Sequence, residues 1–162
     1  MIKEKTAQLK ELLERTGQDQ HDKRFSRNVK GLNCHIADFS DCLTEKQLLL
    51  PEDKYKDDWV RMYRTFNHAC NDTIVNQNSR QMVVLNTNNY LSNFQCFQLM
   101  QFIQNPGTGD YDVLVYQRSA DIDKMESDLK FFMYVITKFE KKTYGRVSSF
   151  KVIYGNLHTT KK

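Results

Sequence analysis

The segment Tyr116-Gln117-Arg118-Ser119-Ala120-Asp121 holds the densest chemistry in the chain. An arginine followed by a serine offers a planar guanidinium fork and a hydroxyl, both suited to charge-assisted hydrogen bonds with a phosphate. Asp121 adds an acceptor close by. The plainer reading is a solvated strand end carrying an ordinary surface arginine. Cys96 is a second group that could react, provided it is held as a thiolate. Cys34, Cys42 and Cys70 complete the set of cysteines, with His35 and His68 near them in sequence. There is no C-x-x-C and no H-x3-H among them, so buried or incidental thiols are expected and no metal site is assigned.

These groups need elements to hold them. Ile2, Leu9, Leu12 and Leu13 predict a short amphipathic helix over residues 2–16, ending at Gly17. The polar, basic stretch from Gln18 to Lys30 reads as a loop or linker. Cys34 to Leu50 has no clear period, and Pro51 closes it. Trp59, Met62, Tyr63, Phe66 and Cys70 recur at helical steps, predicting a helix over residues 55–75. Residues 81–85 and 96–103 read as strands. Asn105-Pro106-Gly107-Thr108-Gly109-Asp110 is a strong turn signal before a strand from Tyr111, which makes residues 94–117 a hairpin. Leu129, Phe132, Met133, Ile136 and Phe139 predict a helix over 128–141, and Val147 to Tyr154 a last strand. The class is α+β, with helices packed on a mostly antiparallel or mixed sheet.

A chain of 162 residues fits one domain with a real core, and its 10 Phe and 8 Tyr argue against disorder. The net charge of +4 is too mild to demand a nucleic-acid partner, though it suits a small anion. No apolar run approaches the roughly 18 residues of a membrane span. The N-terminal residues lack the apolar core of a signal peptide, so a soluble, cytoplasmic protein is expected.

The string YQRSAD resembles the Y-Q-R-S-x-D signature of thymidylate synthases and the related dCMP and dUMP hydroxymethylases. Further similarities follow in the same order. Ser79-Arg80 lies before the strand QMVVLN, as in the family's S-R-R segment. Cys96, before Gln101-Phe102, falls where the family has its nucleophile in P-C-H-x-x-x-Q-F. Gly155-Asn156-Leu157-His158 is similar to G-D-x-H. The resemblance spans residues 55–160 and leaves 1–54 as a divergent helical and loop region of the same domain. It implies a pyrimidine deoxynucleoside monophosphate as ligand and a homodimer as the assembly. Arg118 and Ser119 would hold the 5′-phosphate within Gln117-Arg118-Ser119, and Arg80 would reach the phosphate of a neighbouring subunit. Cys96 would attack C6 of the base, Asp121 would touch the base or its neighbours, and His158 would bond the sugar hydroxyl. A small, Asn- and Lys-rich member of this family would suit a phage or virus acting in an infected host cell.

Asp128 has two readings. With one residue deleted after Asp121, it falls where the family places Asn for uracil and Asp for cytosine. A carboxylate accepts from the cytosine N4 amino group but meets another acceptor at uracil O4. The other reading is an acid at the N-terminus of a helix, favoured by the helix dipole. Several family features are missing. Gln95 and Phe97 flank Cys96 in place of Pro and His, and Asp123-Lys124-Met125-Glu126 replaces the G-L-P-F turn. The E-L-L-W-F-L helix and the Y-G-x-Q-W-R loop have no counterpart. These losses fall on the site for 5,10-methylenetetrahydrofolate. Two functions therefore stay open: a transferase acting at C5 of dCMP or dUMP through a Cys96 adduct, and an inactive nucleotide-binding or interaction module that has lost its folate site.

Overall fold

Ile2, Leu9 and Leu13 lie on one side of helix α1 (Ile2–Thr16) and are buried there. The same spacing buries Tyr55, Met62, Phe66 and Cys70 along α2 (Lys54–Val75). Helix α3 (Met125–Thr143) starts earlier than the Leu129-to-Phe139 period suggests, because a 3-10 turn at Ile122–Lys124 leads straight into it. Every residue of α3 from Phe131 to Thr137 is buried, so this helix is interior rather than amphipathic. Phe132 meets Phe97 and Phe150 of the sheet, Phe131 stacks on Tyr55, and Tyr134 meets Trp59 edge-on.

The computed structural model describes residues 1–22, 27–75, 83–86 and 96–159. Strands β1 (Gln18–Asp22), β2 (Arg27–Asp38), β3 (Val83–Asn86), β4 (Phe97–Gln104), β5 (Tyr111–Asp121) and β6 (Val147–Thr159) form one sheet in the order β1-β2-β6-β5-β4-β3. Among the described strands only the β5–β6 pair is parallel, and α3 is its crossover. The fold is thus α+β with a mixed sheet. The 105–110 turn closes the β4–β5 hairpin, with Gly109 at φ 78° and its N–H bonded to the Asn105 carbonyl.

The stretch from Gln18 to Lys30, expected as a loop, is instead β1 and the start of β2, paired antiparallel from Gln18↔Gly31 to Asp22↔Arg27. A polar edge strand needs only backbone partners, so it shows no apolar alternation; Asp19 and Lys30 also pair at 3.0 Å. β2 then pairs with β6 from Lys30↔Thr159 to Asp38↔Lys151, so residues before 55 share the sheet of the rest. The region from Cys34 to Leu50 holds the end of β2 and a 3-10 helix at Ser40–Thr44.

The sheet carries a transverse row of irregularities. On β5 the buried positions are Tyr111, Val113, Val115 and Gln117, and then Ala120. On β6 they are Phe150, Val152 and Tyr154, and then Leu157 and Thr159. Both alternations slip by one residue at the same level, since Gln117 pairs with Tyr154 and Ala120 with Leu157. On β4 the register shifts between Phe97 and Leu99, next to Gln117. On β2, Cys34 lies between the Asn33↔Asn156 and His35↔Tyr154 pairs with φ 54°. Gly155 makes the row feasible: a Cβ there would lie 2.6 Å from the Arg118 carbonyl oxygen.

Before the row, Val113, Val115, Gln117, Val152 and Tyr154 face the helices. Leu99, Tyr116, Ile153 and Ile36 form a register-aligned apolar line on the opposite face, with Ile36 60% exposed. No helix among the described residues is long and apolar enough to cross a membrane.

Candidate functional site

β5 brings the functional string to the irregular row. Gln117 is its last residue to face the helices before the row and is 2% exposed. Arg118 is exposed, and its N–H donates to the Cys96 carbonyl at 2.7 Å. Cys96 is half-buried in the turn before β4, so its backbone meets that of Arg118 where β4 begins beside β5. Past the row, Ser119 pairs in register with Asn156 and Asp121 with His158. Register partners share a face, and here it is the face opposite buried Ala120 and Leu157.

The predicted residues therefore form two groups. On the helix side, Gln117 Nε2 donates to Asp128 Oδ2 at 3.2 Å and to the Ser119 carbonyl at 3.2 Å. Asp128 Oδ1 accepts from the Tyr55 hydroxyl at 2.5 Å. Burial raises the Asp128 pKa above the usual carboxylate value, and the Tyr55 and Gln117 hydrogen bonds work against that rise. Two more polar atoms are buried here without a hydrogen-bond partner: Gln117 Oε1 and the hydroxyl of fully buried Tyr154. Burial, and then the charge of Asp128, hold the proton on Tyr154.

On the other side, His158 Nδ1 lies 3.0 Å from Asn156 Oδ1. Asn156 Nδ2 donates to Gln20 Oε1 at 2.8 Å and to Asn33 Oδ1 at 2.9 Å. Asp121 Oδ1 caps the 3-10 turn by accepting from the Asp123 N–H. Arg80 lies outside the described residues.

Asp128 is in the first turn of α3 but does not cap it: Lys124 is the N-cap, and the Asp128 carboxylate is turned toward β5 and α2. Sequence reasoning missed Tyr55, Tyr154, Gln20 and Asn33. Tyr55 and Tyr154 look like ordinary apolar-face residues in sequence, and Gln20 and Asn33 sit on an unrecognised hairpin. Asn156 was within a motif, at the place where G-D-x-H has its acid.

The cysteines separate clearly. Cys34 is exposed, whereas Cys42 and Cys70 are buried, with burial pushing the Cys70 thiol up to about 12 and Cys42 above its ordinary value. Among the described residues no three His, Cys, Asp or Glu side chains gather as metal ligands. The turn segment in place of G-L-P-F is filled by the chain's own contacts: Asp123 bonds Lys10 at 3.1 Å and Thr159 at 2.9 Å. No protein-family model matches this chain, and no curated protein matches it.

Proposed function

We propose that this chain binds a pyrimidine deoxynucleoside monophosphate, dCMP in preference to dUMP, through Arg118 and the helix-side pair Gln117 and Asp128. The observation that carries the reading is the Asp128 carboxylate, part-buried with a donor on each oxygen. Its remaining lone pairs accept from an exocyclic amino group and oppose a carbonyl, which separates cytosine from uracil. Exposed Arg118, next to Gln117 on β5, suits the phosphate. Calorimetry with each monophosphate tests it. Binding of dCMP with weaker dUMP is expected; no binding of either at millimolar concentration by folded protein rejects the reading. Asp123 is tied to Lys10 and Thr159, and no step through folate is proposed.

A second reading, reversible chemistry at C5, is favoured by the Cys96–Arg118 pairing. The thiolate would add to C6 of the base, moving the C5–C6 electron pair onto C5, which takes a proton from solvent; loss of the original C5 hydrogen and then of the thiolate restores the base. Exchange of the C5 hydrogen of bound nucleotide in heavy water, followed by proton NMR, reads this step without a cofactor. Bound nucleotide should also protect Cys96 from iodoacetamide while exposed Cys34 labels regardless. Buried Cys42 and Cys70 should stay unlabelled. No exchange and no protection leave the binding module.

The homodimer is proposed through the open sheet face, where Leu99, Tyr116, Ile153 and Ile36 line up across four strands. Sedimentation of wild type and of Ile153→Lys tests it. A dimer that the substitution dissociates is expected, and a wild-type monomer at tens of micromolar rejects it.

A further inference from the structure

Tyr55 reaches the cluster from α2, at a separation of 73 residues from Asp128. Its ring is 1% exposed and stacks on Phe131 with centroids 4.8 Å apart, so the direction of its O–H is fixed by packing. Burial, and then the charge of Asp128, keep the phenol protonated, which makes it a permanent donor to Oδ1. Gln117 serves Oδ2 from the opposite side.

We infer that Tyr55 is a positioning residue that keeps Asp128 ionised and oriented, and thereby sets the preference of the site for a cytosine-type over a uracil-type base. The inference rests on the nucleotide reading above. A neutral carboxyl can turn an O–H toward a carbonyl such as uracil O4, whereas an ionised one can only accept. Removing the phenol oxygen leaves Asp128 buried with one donor fewer, so its proton is retained to higher pH. Every neighbouring element adds a charge or a proton to this balance. Lys54 lowers and Glu52 raises the Asp128 pKa, Asp58 on α2 acts on Tyr55, and Tyr154 on β6 stays protonated. Ser127 donates to Glu52, which keeps that carboxylate ionised.

The test uses the full chain as wild type, Tyr55→Phe, Asp128→Asn and the double variant. Calorimetry with dCMP and with dUMP runs from mildly acidic to mildly alkaline pH. Tyr55→Phe keeps the ring on Phe131 and should lower the dCMP-to-dUMP affinity ratio about tenfold, the factor that one pKa unit carries. The pH at which the ratio changes should also move upward. Asp128→Asn should favour dUMP at every pH, and adding Tyr55→Phe to it should leave the ratio unchanged. A titration of the Asp128 side-chain carboxyl by carbon NMR, in the free protein, should show the same upward move. Replacing tyrosine by a fluorinated tyrosine, a stronger donor, should move that midpoint down, which keeps the inference testable if Tyr55→Phe does not fold. An unchanged ratio and midpoint overturn the inference while leaving nucleotide binding intact. If wild type binds neither nucleotide, the binding reading fails and this inference falls with it.

Discussion

The two sides of the irregular row use the same strand in opposite ways. On the helix side, Gln117, Tyr55 and Tyr154 surround one carboxylate in a largely apolar setting. There each hydrogen bond is strong and each unpaired atom expensive. On the other side, Asn156, Asn33, Gln20 and His158 form an amide and imidazole network, partly open to water. Two polar clusters separated by a few residues of β5 and β6 thus differ in what a substitution can do. The first senses charge; the second mainly holds a strand edge in place. The slip in alternation is what separates them, since without it Gln117 and Ser119 would point the same way.

The contrast breaks most completely if the row itself is disturbed. Gly155→Val places a side chain against the Arg118 backbone carbonyl, where even a Cβ would sit at 2.6 Å. It should destabilise the fold by about 3 kcal/mol in urea unfolding, the upper end of overpacking costs. A tolerated valine would show that the strands are not held in this slip. Arg118→Ala leaves both clusters folded and should weaken dCMP binding by about 1.5–3 kcal/mol by calorimetry, the scale of a hydrogen bond to a charged group. An unchanged affinity would return Arg118 to the role of a surface arginine. Asn156→Ala removes two amide bonds from the side opposite the helices and should lower stability by about 1 kcal/mol without altering base preference. A change in the dCMP-to-dUMP ratio from this variant would show that the two sides are not independent.

The finest distinction is in pH dependence. Asp128 has its folded pKa raised, so it binds its proton more tightly folded than unfolded. Its contribution to stability is fully present below the ordinary carboxylate value and is lost as pH rises through the raised value. Asp128→Asn cannot ionise, so its melting temperature should gain on wild type as pH rises through that range. Turning the Gln117 amide would also give its Oε1 a donor from the new side chain. A difference that is flat with pH, read by scanning calorimetry, would mean that Asp128 is not buried enough to feel its surroundings. Asn156→Ala should show no such trend.

Much of this architecture is legible in the sequence, for identifiable reasons. Leu9 and Leu13, Met62 and Phe66, and Leu129 to Phe139 announce their helices because each buries a side against a core. The β4–β5 hairpin is legible because Pro106 and Gly109 dictate the backbone between two apolar runs. The β1–β2 hairpin is not, because its ladder is satisfied by main-chain groups whatever the side chains. The slip is not, because a one-residue phase change erases the period that would reveal it. Gln117 and Asp128 were singled out, and the fold joins them at 3.2 Å. Tyr55 was hidden, because a phenol in an apolar stripe gives no sign of a partner 73 residues away.

The enclosure of α3 has one more consequence. Its amides from Phe131 to Thr137 are covered on all sides, so deuterium can enter them only when the whole domain opens. Asp128 sits one turn before that protected core, while Cys96 and Arg118 sit where strand pairing is irregular. In native-state exchange Asp128 should be anchored to the slowest segment of the protein. Cys96 and Arg118 should belong to a faster one.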